Sequence, residues 1–217
     1  MYGTAAIISG YLLGAIPFAL IIARMFGIGD IRRVGSGNIG ATNAWRAAGP
    51  AAGILVAVFD IGKGVLAVLL VSIYPDSSIP AEYLKLIAGM AAVVGHIFPI
   101  FLLFRGGKGV NTALGVMLTL LPIEALIALL VFILTVSLSR YISLGSILAA
   151  FAFFVAVVIA WSLKLADIPI LYVLIAALLM LLIIFSHRSN IKRLLNGTEN
   201  RFAIHSGQSA EGKGDNV

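Results

Sequence analysis

The sequence predicts an all-α membrane protein with about seven transmembrane helices, some of them short or broken, its N-terminus outside and its C-terminus in the cytoplasm. Three observations predict it. The 217 residues are 61% hydrophobic and only 11% charged, with mean hydropathy +1.10. Several apolar runs exceed the roughly 18 residues that span a bilayer. The basic loops (24–46, 105–108, 140 and 188–201) fall in every second polar break between those runs, as the positive-inside preference requires. The chain has no cysteine, so disulfides, thiolate chemistry and Cys-based metal sites are unavailable. A net charge of +6 speaks for membrane orientation and anionic headgroups before nucleic acid.

The first span covers 2–26, where Gly14 and Pro17 predict a kink that neighbouring helices absorb. It lacks a basic n-region, so it reads as a span and not as a cleaved signal. A polar stretch follows, with Arg24, Asp30, Arg32 and Arg33, then Ser36-Gly37-Asn38, Ala41-Thr42-Asn43 and Trp45-Arg46. The second span, about 52–73, carries Asp60 and Lys63, three apart and able to pair on one helix face. Residues 74–82 form a turn with Asp76 and Glu82 and no basic residue. The third span, about 83–103, holds His96 and Pro99; a lone buried histidine bonded to a neighbour is the reading there. Segment 113–138 is apolar but interrupted by Pro122 and Glu124, and two further spans cover about 145–161 and 168–186. The chain then runs through a basic, amphipathic stretch at 187–199, and 203–217 has the composition of a disordered tail.

Segment 113–138 decides the topology. A single crossing would place Arg140, Arg188, Lys192 and Arg193 outside. A turn at Pro122, making two short helices of about 10–16 residues, puts every basic loop inside. Asp76, Glu82, Glu124 and Asp167 then lie outside. One membrane domain over 1–202 is expected, with no internal repeat.

This topology gathers four polar segments at the cytoplasmic face. In Phe104-Arg105-Gly106-Gly107-Lys108-Gly109-Val110-Asn111-Thr112, three glycines in four positions let the backbone approach a ligand, and a helix N-terminus follows. With Lys108 beside it, this pattern suits a phosphate or a basic turn between helices. It is not the nucleotide P-loop, because no Ser or Thr follows Lys108 directly. The Ser36–Asn43 loop is rich in hydroxyl and amide groups suited to a polyol phosphate, and Arg46 adds a bidentate cation. The same residues also suit a capped interfacial helix. His187 and Asn190, at i and i+3, can act as acid or base and as a carbonyl or hydroxyl ligand, or simply snorkel at a helix end. Ser143 is a ligand hydroxyl or a cap. No His–Glu pattern at zinc spacing occurs, so no metal is expected.

Together these segments resemble the bacterial integral-membrane glycerol-3-phosphate acyltransferases that use acyl phosphate as donor. The specific parts are Ser36-Gly37-Asn38 with Ala41-Thr42-Asn43, then Gly106-Gly107-Lys108-Gly109-Val110, then His187, Asn190 and Glu199. The family usually has Ala-Thr after the valine, where this chain has Asn111-Thr112. The resemblance implies acyl transfer from acyl phosphate to the 1-hydroxyl of sn-glycerol 3-phosphate, giving lysophosphatidate and inorganic phosphate. This is the first acylation of phospholipid synthesis, at the bacterial cytoplasmic (inner) membrane with the site facing the cytoplasm. It implies no cofactor. Substrate binding falls to Ser36, Asn38, Thr42, Asn43, Arg46, Gly106, Gly107, Lys108, Gly109 and Ser143, and catalysis to His187 and Asn190. Glu199 is expected as a structural partner of the basic surface. Membrane lipids are the other expected partners, and the sequence leaves the oligomeric state open. Neither His96, His187 nor His205 has Asp five residues later, so the His-x-x-x-x-Asp pair of other acyltransferases is absent. The rival class is a transporter of phosphate or an organic phosphate. A non-catalytic lipid-binding scaffold is a third reading, and it leaves the Ser/Asn/Thr/Lys/His set without a use.

Overall fold

A computed structural model describes residues 2–74 and 78–202. The expectations for Asp76 and for the tail at 203–217 lie outside the described residues. Among the described residues ten α-helices follow in chain order: α1 (Tyr2–Ala15), α2 (Phe18–Met25), α3 (Ala41–Ala48), α4 (Pro50–Leu69), α5 (Ala81–Ile97), α6 (Val110–Leu120), α7 (Pro122–Ser139), α8 (Ile142–Ser162), α9 (Ile170–Ser186) and α10 (Arg188–Leu195). No strand occurs among the described residues. Helices suit lipid, because a helix satisfies its own backbone polar groups where no water can.

The breaks have local causes. Pro17 interrupts the first span between α1 and α2, as the sequence predicts. Pro50 and Pro122 occupy first helical positions, where a missing N–H does no harm. Leu121, at φ −138° and ψ 68°, ends α6 and starts α7. The turn expected at Pro122 is therefore present, but the two pieces are 11 and 18 residues long. The second is longer than expected because no breaker stands between Pro122 and Ser139.

Among the described residues five helical stretches have the length and apolarity to cross a membrane: Tyr2–Met25, Pro50–Ile73, Ala81–Leu102, Pro122–Ser139 and Ile142–Ser162. A sixth appears if α9 is counted with α10, from which it is bent by 60°. The seven predicted segments are all helical, and α6, at 11 residues, is too short to cross by itself.

Small residues bring the helices together. α1 packs along α5, and a Cβ added to Gly14 would collide with the Ala92 carbonyl oxygen. α4 meets α6 the same way, Gly115 lying against the Ile61 carbonyl oxygen. Apolar side chains gain nothing by leaving lipid, so close backbone approach and dispersion hold such pairs. α7 packs on α8 and α8 on α9, while Leu126, Leu130 and Ile133 of α7 face outward toward lipid. A core of Val68, Leu86, Met90, Val93, Val116, Phe153, Val157 and Leu179 ties α4, α5, α6, α8 and α9 together. That leaves the loops at one end of the bundle to form the site.

Candidate active site

At this end a cavity of about 640 Å³ is lined by the Ser36–Asn38 loop, α3, Lys108–Asn111, the start of α8, the α9–α10 break and the segment Glu199–Phe202 after α10. Four helix N-termini reach it: Gly40–Ala41 of α3, Gly109–Val110 of α6, Ile142–Ser143 of α8 and Arg188–Asn190 of α10. None of the four is capped by a side-chain hydrogen bond or carries an acidic residue in its first turn. The leading N–H groups of a helix lack intrahelical acceptors and sit at its positive end. Four such ends around one cavity make a positive, donor-rich lining before any side chain is counted.

The Ser36 loop owes its shape to Asn43, whose side chain is almost wholly buried. Its Oδ1 accepts from the Ser36 N–H at 2.9 Å, and its Nδ2 donates to the carbonyls of Ile31 and Val34, each at 3.0 Å. The expected ligand role of Asn43 thus becomes an indirect one, since its amide is committed to presenting Ser36. Gly35 and Gly37, at φ 61° and 70°, make the tight turns of this loop. Asn38, Thr42 and Arg46 line the cavity, and Arg46 Nη2 donates to the Asn200 carbonyl at 3.5 Å. Half-burial, chiefly, and the nearby Arg193 lower the Arg46 pKa, while Glu199 opposes the shift.

The glycine turn divides. Lys108 and Gly109 line the cavity, with Gly109 at φ 81° leading into α6. Gly106 and Gly107 do not line it. Their N–H groups donate to the carbonyls of Ile97 and His96, both at 3.1 Å. The phosphate cradle expected from these two glycines is therefore absent in this arrangement. They stand behind Lys108 and set its position, because a backbone N–H already paired inside the protein is not free for a ligand.

One connected set of side chains joins α8, α10 and the segment after α10. Lys108 Nζ donates to Asn190 Oδ1, and Asn190 Nδ2 donates to Glu199 Oε1 at 2.7 Å. Ser143 Oγ donates to the same carboxylate oxygen at 2.9 Å, and Arg193 Nε to Oε2 at 2.7 Å. With a cation on one side and a carboxylate on the other, the Asn190 amide can point only one way. Glu199, expected as a partner of the basic surface, is bonded at its centre. These bonds and Arg193 hold its carboxyl below the ordinary range, against the opposing effect of burial. Lys108 falls to about 8, first because it is buried and second because Arg193 and Arg46 are near, with Glu199 opposing.

His187 occupies the break between α9 and α10, and only 2% of it is exposed. Its Nδ1 lies 2.8 Å from the Ile183 carbonyl oxygen, which can only accept, so Nδ1 carries the proton and Nε2 keeps its lone pair. Burial first and then Lys108 push its pKa down to about 4, although the Ile183 bond and Glu199 work the other way. The imidazole is neutral at pH 7.

Ten of the twelve residues singled out by sequence thus line one cavity; Gly106 and Gly107 do not. Sequence reasoning missed Arg193 and the central place of Glu199. Arg193 lies three residues from Asn190 on α10, a spacing that puts both on one face. Nothing in the sequence signalled the return of the chain through Gly197, at φ 68°, which brings Glu199 back. Asp60 and His96, read as structural, reach the cavity wall from within the bundle. Among the described residues no group of three or more His, Cys, Asp or Glu is placed to hold a metal ion.

The family model described as glycerol-3-phosphate acyltransferase matches residues 4–197. The chain belongs to the glycerol-3-phosphate acyltransferase family. It is 46% identical over 195 residues to glycerol-3-phosphate acyltransferase 2 of Bacillus anthracis, covering 90% of this chain and 96% of that one. It is 48% identical over 196 residues to the glycerol-3-phosphate acyltransferase of Trichlorobacter lovleyi, covering 90% and 95%. Among solved structures it is similar to PlsY (YgiH), an integral membrane glycerol 3-phosphate acyltransferase, in its glycerol 3-phosphate form. The TM-score is 0.83 at 40% identity, covering 94% of this chain and 96% of that one. The lysophosphatidic acid form of PlsY gives a TM-score of 0.81 at 38% identity, covering 94% and 97%. Like that acyltransferase, the chain is an integral membrane protein of apolar helices.

Proposed function

We propose that this family member transfers a fatty acyl group from acyl phosphate to the 1-hydroxyl of sn-glycerol 3-phosphate, giving lysophosphatidate and inorganic phosphate. The observation that carries the reading is the charge of the cavity. Arg46, Lys108, Arg188 and Arg193 line it, while among the described residues Glu199 is its one carboxylate apart from Asp60, which is paired with Lys63. Such a surplus of cations, with four helix N-termini, fits two phosphate-bearing substrates at once.

The chemistry follows from the groups present. The substrate hydroxyl oxygen attacks the acyl carbonyl carbon, the bond from that carbon to the phosphate oxygen breaks, and phosphate leaves with the electron pair. Acyl phosphate is an activated mixed anhydride, so no covalent enzyme intermediate is required. The task of the protein is to hold both substrates and to stabilise charge on the carbonyl and leaving phosphate. Lys108 and Arg46, with Ser36, are assigned to phosphate groups, joined by Asn38, Thr42 and Ser143 as hydroxyl and amide ligands. Asn190 and His187 orient the hydroxyl and carbonyl. With a pKa of about 4, the neutral His187 accepts a hydrogen bond at Nε2 but binds a proton weakly. A phosphate dianion, whose protonated form has a pKa of about 6, is the stronger base. The proton therefore goes to an oxygen of the leaving phosphate. Gly53, Ile54, Ala57 and Phe132 give the cavity an apolar side where the acyl chain enters from lipid.

The positive-inside preference supports a cytoplasmic site in a bacterial inner membrane, with the N-terminus outside and the C-terminus in the cytoplasm. Arg46, Lys108, Arg140, Arg188 and Arg193 then share one side, and Glu82 and Asp167 the other. Purified protein given palmitoyl phosphate and glycerol 3-phosphate, without coenzyme A, is expected to release equal amounts of lysophosphatidate and phosphate. Turnover only with acyl-coenzyme A would contradict the donor, and no turnover with either would contradict the reaction.

A further inference from the structure

Three buried ionisable groups inside the bundle are left unused by the mechanism above. Asp60 and Lys63 of α4 are 2% and 3% exposed, and His96 of α5 is 9% exposed. Lys63 Nζ lies 2.9 Å from Asp60 Oδ1 and donates to the Ile16 carbonyl at 3.1 Å, at the proline break of the first span. His96 Nδ1 lies 3.6 Å from the same Asp60 oxygen. Ion pairs at this depth contribute little net stability, because desolvation offsets their attraction, and well-packed apolar residues often serve as well. Stability alone is therefore a weak reason for these three residues.

The contacts of His96 supply a better one. Its carbonyl accepts the Gly107 N–H, and the Ile97 carbonyl beside it accepts that of Gly106. A Cβ on Gly107 would strike both His96 Nε2 and the Ile39 carbonyl oxygen. Gly107 thus packs closely against the His96 ring and the loop that presents Ser36 and Asn38. The next residue is Lys108, whose ammonium reaches Asn190 across the cavity. An unbroken series of contacts runs from Ile16 through Lys63, Asp60, His96 and Gly107 to Lys108.

We propose that Asp60 and His96 are positioning residues for Lys108, forming a strut anchored by Lys63 to the break in the first span. The ring of His96, oriented by Asp60, sets the height of the Gly106–Gly109 turn against the Ser36 loop and so the place of the Lys108 ammonium. The strut itself follows from geometry; only its effect on catalysis rests on the function proposed above.

The test measures Lys108 directly. Folded protein is treated briefly with an acetylating N-hydroxysuccinimide ester, and modification is quantified peptide by peptide, with exposed Lys192 as internal reference. The Asp60→Asn/Lys63→Met pair removes both charges together and so leaves no lone buried ion. It is expected to change the Lys108 labelling rate about tenfold, within the range of contact couplings, with Lys192 unchanged. His96→Gln, which keeps the Asp60–Lys63 pair, is the second variant and should move the same rate in the same direction. Thermal unfolding confirms that the variants measured are folded. In turnover, either variant is expected to raise KM for glycerol 3-phosphate more than it lowers kcat. Either should have less than about a twofold further effect when Lys108 is already alanine. Unchanged Lys108 labelling in a folded variant overturns the strut, as does an equal loss of activity with and without Lys108. Labelling needs no substrate, so a wild type that fails to turn over glycerol 3-phosphate overturns the proposed function and not the strut.

Discussion

The two charged clusters of this protein differ in how they are closed. Inside the bundle, Asp60, Lys63 and His96 are buried, Asp60 and His96 meeting the cavity only at its inner wall, and the aspartate and lysine charges cancel. At the cavity, Lys108, Arg46, Arg188 and Arg193 outnumber Glu199, and open space lies between them. The first cluster balances its own charge; the second is left with positive charge and donors that only a ligand can satisfy. Similar side chains therefore serve position in one place and binding in the other. The difference lies in charge balance and access, not in residue type.

Breaking the charge-balanced cluster should mainly affect folding. Asp60→Ala leaves Lys63 as a lone buried cation and is expected to destabilise the protein by about 3–5 kcal/mol, read as a loss of thermal stability in detergent. Breaking the open cluster should mainly affect turnover. Lys108→Ala is expected to lower kcat/KM by roughly 100-fold or more, as for loss of a charged donor to a transition state. Its melting temperature should stay the same or rise, since one crowding cation is removed. If both substitutions change stability equally, the contrast between the clusters fails.

A pH profile sharpens the account. The Lys108 pKa is lowered to about 8, so its charge is present below that value and lost as pH rises through it. The kcat/KM for glycerol 3-phosphate should fall above about pH 8, and Lys108→Arg should move that limb upward. His187 has the reverse sense. Its pKa is depressed to about 4, so the neutral buried ring favours the folded state fully above the unfolded value near 6.5. That contribution is lost as pH falls toward 4. His187→Gln should flatten the acid dependence of stability between those values. The smallest effect is expected from Glu199→Gln, which keeps the shape and one acceptor. It should weaken the ties to Arg193, Ser143 and Asn190 by about 1–3 kcal/mol, measured by thermal unfolding.

Much of this was legible in the sequence because membrane helices announce themselves locally. Apolar run length, Pro17, Pro50 and Pro122 mark the helices and their breaks without reference to distant residues. Ser36, Arg46, Lys108, His187 and Asn190 stood out because polar residues crowded beside apolar runs need a use. The fate of Gly106 and Gly107 was not legible. Glycine spacing suits a phosphate cradle, but a paired N–H depends on which carbonyl the fold brings near, here those of His96 and Ile97. Asn43 misled for the same reason, since its amide turns inward onto Ile31 and Val34. The link from Asp60 to His96 joins two helices distant in sequence, and periodicity within each helix carries no trace of it.

The most direct test of the central claim, that surplus positive charge at the cavity binds the phosphate substrates, is calorimetric titration of glycerol 3-phosphate into the purified protein and its Lys108→Met variant. The account predicts saturable binding to wild type that weakens as salt is raised, and its loss in the equally stable variant. Binding of undiminished strength in Lys108→Met would contradict it.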